Sequence, residues 1–393
     1  MRFPEFSGEW EYKSLGEIGE SLIGLTYSPS DVVKEGGTIV FRSSNIQDGV
    51  IDYGDLVRVS KKIKDSIITR DGDLLICARN GSTRLIGKNA LLKKSDEGQT
   101  FGAFMMVFRS IDNRFVHQLL STKAYSTQVS ENLGARINQI TTRNFAEYTF
   151  GMPQTSEEKE KIGTFLELIN DRIETQSKII EELKTLRGAL NESLYCCCES
   201  YQELSFNDVG VSYSGLSGKS GNDFGSGYPF IPYTNIFTNN IIDEGQLDYV
   251  QVREDESQNS VCFGDLLMTL SSETPEEVGI GAVYLGHESP LYLNSFAFGI
   301  HITRTDLVYP PYLSWLVSTK SFRKFILPYA QGSTRYNLQK TDFMKAKYRF
   351  PTLGRQKAIS VLLSGYSSKI ENEERVLNKY TALKQGLIEQ LFI

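Results

Sequence analysis

The chain has 393 residues, 40% of them hydrophobic and 23% charged, a balance that excludes a disordered protein and suits two cores of ordinary size rather than one. Five cysteines and three histidines exclude a disulfide scaffold, and no apolar run approaches the roughly 20 residues of a membrane span. A net charge of −6 excludes a generally basic nucleic-acid coat and predicts weak non-specific DNA affinity, hence reliance on a partner for any DNA role.

Residues 1–153 read as a mixed α/β unit. Thr38–Phe41, Asp73–Cys77 and Phe104–Phe108 are short β-type runs between Gly- and Asp-bearing turns, and 115–132 looks helical. Pro153 closes the unit. From Ser156-Glu157-Glu158 onward, Gly163 and Gly188 are the only helix breakers before Cys196. Apolar residues there fall on a 4-3 alternation: Ile162, Leu166, Ile169, Ile173, then Ile180, Leu183, Leu190 and Leu194, with Gln176 and Arg187 as interruptions. Cys196-Cys197-Cys198 cannot close a tetrahedral metal site alone and reads as a hinge; Cys77 and Cys262 read as core residues. A second globular stretch, 199–351, follows. The last segment, 352–393, carries the seam Ile359, Leu363, Tyr366, Ile370, Leu377, Tyr380, Leu387 and Leu391, interrupted at Glu373 and Lys384. Neither the opening Met1–Glu5 nor any later stretch resembles a signal peptide or membrane anchor, so a cytoplasmic protein is expected.

These segments repeat. The first seam returns in the second at a shift of about 197 residues, Ser121-Thr122-Lys123 returns as Ser318-Thr319-Lys320, and Gly72-Asp73-Leu74-Leu75 returns as Gly264-Asp265-Leu266-Leu267. Two heptad seams in one chain can pack separately on their own domains or against each other; pairing is favoured, because a long seam needs a matching one. The order unit–helix–unit–helix makes the pair antiparallel. At 1.5 Å per residue it would hold the units about 50–60 Å apart, related by a pseudo-twofold axis. The expected fold is α+β.

Catalytic signatures are missing. The sequence has no phosphate loop, no HExxH and no credible triad, and Tyr309-Pro310-Pro311-Tyr312 lacks the Asn, Asp or Ser that an amino-methyltransferase motif needs. No metal and no cofactor are expected. What remains are loops rich in groups that read base edges. Arg79, Asn80, Ser82, Arg84 and Lys88 leave a strand end. Arg136 and Asn138 lie in the loop Gly134–Gln139, and Arg335, Tyr336, Asn337 and Lys340 in the corresponding loop of the second copy. Asn45, Asn235, Ser271 and Ser272 complete the candidate set. Lys88 suits a phosphate better than a base. In the repeat, Cys77–Gly81 is expected to match Met268–Ser272 and shares no chemistry with it, as if one scaffold served two targets.

The opening Arg2-Phe3-Pro4-Glu5-Phe6 with Gly8-Glu9-Trp10, the Gly-Asp-Leu-Leu elements, Gly332-Ser333-Thr334-Arg335 before Phe350-Pro351 and the duplicated helices resemble the DNA-specificity subunit of type I restriction–modification systems. The resemblance covers essentially the whole chain. It implies two target-recognition domains, 1–153 and 199–351, each reading half of a split site on double-stranded DNA. It also implies spacer helices at 154–198 and 352–393 that dock two methyltransferase subunits, which restriction subunits join. The chain would be non-catalytic. One departure concerns the usual Pro-Pro-x-x-Glu-Gln helix start: Gly354–Lys357 keeps the Gln and Thr155–Lys159 loses it. Two other readings compete, a two-headed scaffold that never touches DNA and a DNA methyltransferase; the Arg/Asn/Ser loops count against the first, the missing cofactor loop against the second.

Overall fold

The structure, a computed structural model, describes residues 2–133, 138–198 and 200–392. It divides into two compact units, residues 1–177 with 375–393, and residues 178–374. In the first, the central antiparallel sheet has the order Glu20–Ile23, Met105–Arg109, Leu74–Cys77, Asn89–Leu91. Leu74 and Ile76 enter a core with Phe108, Phe115 and Ile162, whereas Leu75 and Cys77 enter another with Phe41 and Phe101. The strand keeps its period of two, but both faces are covered, so the run reads as continuously apolar. A second sheet, ordered Thr100–Phe101, Thr38–Phe41, Val57–Val59, Val32–Val33, supplies that other cover.

The second unit repeats this plan. Its sheet runs Gly210–Ser214, Ala297–Ile302, Leu266–Thr269, Gly281–Val283, again antiparallel. Leu266 and Met268 face one core with Phe298 and Tyr312, and Leu267 faces another with Ile231 and Leu293. The repeated Gly-Asp has a mechanical cause. Gly72 and Gly264 take φ of +79° and +89°, a region that favours glycine, and the next carboxylate closes the turn. Asp73 accepts from the Arg70 N–H and Asp265 from the Cys262 N–H, each at 2.9 Å. Cys262 therefore sits in the turn and is exposed, not in the core as expected; Cys77 is buried.

The expected helix 115–132 is two helices, Asn113–Leu119 and Lys123–Leu133. Thr122 breaks the run, its hydroxyl accepting from the Tyr125 N–H at 3.3 Å. Thr319 does the same for Phe322 at 3.1 Å, ahead of the helix Lys320–Ile326. The recurring Ser-Thr-Lys is a helix cap.

The long helices span Ser156–Cys196 and Leu353–Leu391. No seam residue is exposed. In the first unit Ile162 and Leu166 share a core with Ile388 and Leu391, and Arg172 donates to the Tyr380 hydroxyl at 3.5 Å. In the second, Lys184 pairs with Glu374 at 3.0 Å, Arg187 donates to Ser367 at 2.7 Å, and Leu190 and Leu194 pack beside Ile359 and Leu363. Within each unit the numbering rises on one helix as it falls on the other, so the two run antiparallel there. The seam ends also belong to the unit cores, so packing on the domain and packing on the partner helix occur together. Among the described residues no helix is long and apolar enough to cross a membrane.

Both helix starts are anchored, by different groups. Buried Gln356 accepts from the Tyr309 N–H at 2.8 Å and donates to the Leu307 and Pro351 carbonyls. The residue at the matching place in the first unit is Lys159, also buried, which pairs with Asp112 at 2.6 Å. The missing Gln is thus replaced by an ion pair.

Candidate nucleic-acid interface

In the first unit the chain leaves Leu74–Cys77 through Ala78 and Arg79, whose N–H groups donate to the Phe104 carbonyl at 3.0 and 2.9 Å. Arg79 then bridges to Gln139, and the Ile140 N–H reaches the Ala78 carbonyl at 2.7 Å. This short pairing carries the loop 79–84 at the end of the sheet. Arg79, Ser82 and Arg84 are exposed. The Arg79 guanidinium lies over the Phe104 ring, 5.1 Å from its centre. Asn138 ties the neighbouring loop to Gly81 O at 3.4 Å. Arg136 lies outside the described residues.

In the second unit Leu270 N–H donates to the Phe296 carbonyl at 2.9 Å and Leu338 N–H to Leu270 O at 2.8 Å. Ser271 pairs with Asn337 and Ser272 with Tyr336. These contacts set the equivalence of the copies: Arg79 corresponds to Ser271, so the expected match of Cys77–Gly81 with Met268–Ser272 is off by one residue. Tyr336 is half-buried, and Arg335 and Asn337 are exposed. The Arg335 guanidinium stands 5.5 Å from the centre of the Phe296 ring. Tyr233, Phe237, Ser271, Ser272, Phe296 and Arg335 line a recess of about 330 Å³ beside it.

Not every candidate points outward. Asn45 and Asn235 are fully buried. The Asn45 amide accepts from Arg42 N–H at 2.9 Å and donates to the Asp52 and Asp55 carbonyls. Asn235 donates to the Asp243 and Gln246 carbonyls and accepts from Asp243 N–H. Both hold a turn, because only an amide supplies donors and an acceptor at one point; neither has an edge left for a base. Asn80 is partly committed as well, donating to Ser43 Oγ at 3.1 Å and accepting from Ser82 N–H. Ser272 donates to Glu277 at 2.7 Å. Lys88 reaches Gln47 at 3.4 Å and lines a cleft of about 730 Å³ walled by His117, Glu174 and Lys384, not by the tip arginines. Lys340 lies over the Phe298 ring at 5.1 Å, and burial lowers its pKa.

Sequence reasoning missed Phe104, Phe296 and Tyr233. Each Phe precedes an inner strand and reads as part of it; the usable signal was that both stand at one place in the repeat. Another cluster, Cys262, Asp265 and His301, brings ligand-type atoms within 4.8 Å of one another. Asp265, however, already accepts from Tyr213 at 2.7 Å and meets His301 Nδ1 at 2.9 Å. The corresponding corner of the first unit is Asp73 with Arg109, at 2.7 and 2.8 Å. The recurrence marks a structural corner.

Residues 7–185 match the type I restriction modification DNA specificity domain. The specificity subunit of the type I restriction enzyme EcoKI of Escherichia coli K12 is 26% identical over 81% of this chain and 73% of its own length. That of StySPI from Salmonella potsdam is 27% identical over 46% of this chain and 41% of its own length. In fold, the chain resembles the crystal structure of the type I restriction–modification S subunit from M. genitalium, with a TM-score of 0.60, 14% identity and coverage of 100% of this chain and 99% of that one. A second solved chain, from a study of complex assembly and conformational transition of the type I R-M system, gives 0.59 at 13% identity, covering 99% and 98%. Built twice on one plan, the chain carries a match to this DNA specificity domain over residues 7–185 and resembles the specificity subunits of type I restriction–modification systems in sequence and in fold.

Proposed function

We propose that the chain selects a bipartite site on double-stranded DNA, with residues 1–153 and 199–351 as the two target-recognition domains and each reading one half. The observation that carries this reading is the recurrence of one loop-bearing strand end in both units, with different exposed polar residues at it, Arg79 and Arg84 in the first and Arg335 and Asn337 in the second. Arg79, Arg84 and Asn138 are the base-reading candidates of the first unit, and Arg335, Tyr336 and Asn337 those of the second, where Ser271 is buried; Lys88 suits a phosphate. The helical segments 154–198 and 352–393 act as spacer and dock two methyltransferase subunits, through which restriction subunits join, in the cytoplasm. Exposed apolar residues at matching positions of the helices, Phe165 with Leu362 and Leu186 with Leu383, support two like docking faces. The acidic total fits a division of labour in which the partners hold the DNA backbone.

Methylome sequencing of a host expressing this chain with its modification subunit tests the reading. A split motif is expected, and exchanging the first domain for that of another family member should alter one half alone. A continuous motif, or a change in both halves, would refute it.

A further inference from the structure

Phe104 and Phe296 are 60% and 53% exposed, a large apolar area to leave in water at the same place twice. Core packing does not account for it, because the strands that follow each ring are buried without its help. Each carbonyl instead anchors the outgoing chain at the sheet end, which fixes the backbone and turns the ring toward the loops. An arginine lies over both rings, yet it comes from different places in the two copies. Arg79 belongs to the first strand of the tip pairing, at the position of Ser271, while Arg335 immediately precedes the second strand. The repeat therefore preserves the contact without preserving the residue that makes it.

We propose that each Phe is a platform that orients its arginine for one guanine, so that Phe104–Arg79 and Phe296–Arg335 each set a single base position in one half-site. This rests on the DNA-reading role proposed above. A guanidinium laid on a ring has its plane restrained, and its N–H donors lie in that plane, directed away from the ring. Guanine offers O6 and N7 as two acceptors on one major-groove edge, which matches such a fork. Lysine over the same ring would keep the charge and lose the fork. The ring contributes through the arginine it holds, and is a positioning residue.

The test uses the complex with its modification subunit and duplexes carrying the methylated motif, with each base pair replaced in turn. Arg79→Lys should lower kcat/KM for methylation of the intact site by roughly 5- to 150-fold and flatten discrimination at one G·C pair of one half-site. Phe104→Ala should give a smaller loss at that same pair, and the double variant should match Arg79→Lys alone. Arg335→Lys and Phe296→Ala should repeat the pattern at one pair of the other half. Thermal unfolding should stay unchanged, since both rings are more than half exposed. Losses spread evenly over all base pairs, or additive losses in the double variant, overturn the proposal. A wild-type complex without sequence preference would sink the DNA-reading role itself. Wild-type preference retained in all four single variants sinks only the ring–arginine assignment.

Discussion

The two units close the same corner with different chemistry. In the first, Asp73 receives a bidentate Arg109; in the second, Asp265 receives His301 and the Tyr213 hydroxyl. Burial pushes the Asp265 carboxyl up, and the hydrogen bonds from Cys262, Tyr213 and His301 oppose that shift. The carboxylate is kept because it serves the backbone turn, while its partners are interchangeable provided they donate. The helix anchors teach the same lesson, with the Lys159–Asp112 pair in one unit and Gln356 in the other. Where an amide alone can do the work, as at Asn45 and Asn235, the residue does not change.

The sharpest way to break this comparison is to remove an anchor. Lys159→Ala leaves the Asp112 carboxylate, 10% exposed, without its ion pair, and should destabilise the first unit by about 3–5 kcal/mol. Gln356→Ala leaves neutral groups unpaired and should destabilise the second unit less, by about 1–3 kcal/mol. Hydrogen exchange resolved by unit reads both; equal losses would mean that the charge is irrelevant.

The next effect depends on pH. His117 of the first unit is buried, and burial together with nearby Lys384 pushes its pKa down to about 4. The place of His117 in the repeat is taken by Ser314, which does not titrate. Below pH about 6.5 the unfolded chain binds a proton that the folded unit refuses until pH about 4, so folding loses stability across that window. The loss should reach about 3 kcal/mol. Denaturant midpoints followed from pH 7 to 4 should fall more steeply for the wild type than for His117→Ser; parallel curves would show that His117 protonates while folded.

A smaller and symmetrical loss is expected at the buried amides. Asn45→Ala and Asn235→Ala should each destabilise their own unit by about 2–3 kcal/mol through orphaned backbone groups. If either variant unfolded like the wild type but changed the methylated motif, that asparagine would be a reader after all.

The smallest effect concerns the helix crossing. A Cβ at Gly163 would meet the Phe115 backbone nitrogen at 2.8 Å, whereas the second unit carries buried Ser360 at the same place in the repeat. Gly163→Ala should therefore destabilise the first unit by about 1–2 kcal/mol, and Ser360→Ala should have little effect. Thermal unfolding of both variants decides whether the two crossings differ in closeness.

Periodicity by itself determined the long helices, the strands Thr38–Phe41 and Leu74–Cys77, and the repeat, because each arises from local spacing that survives in one dimension. The caps at Thr122 and Thr319 were also written in the sequence, as a recurring Ser-Thr-Lys, although the helices they divide read as continuous. Tertiary structure alone decided which polar residues face outward. Asn45 and Asn80 carry the same side chain, yet the first is enclosed by the backbone of its own turn and the second stands on a loop and reaches the Ser43 hydroxyl, 37 residues away. Only the fold could bring Arg79 to Phe104 and Arg335 to Phe296. Those contacts join segments 25 to 39 residues apart through strand pairings that no local pattern encodes.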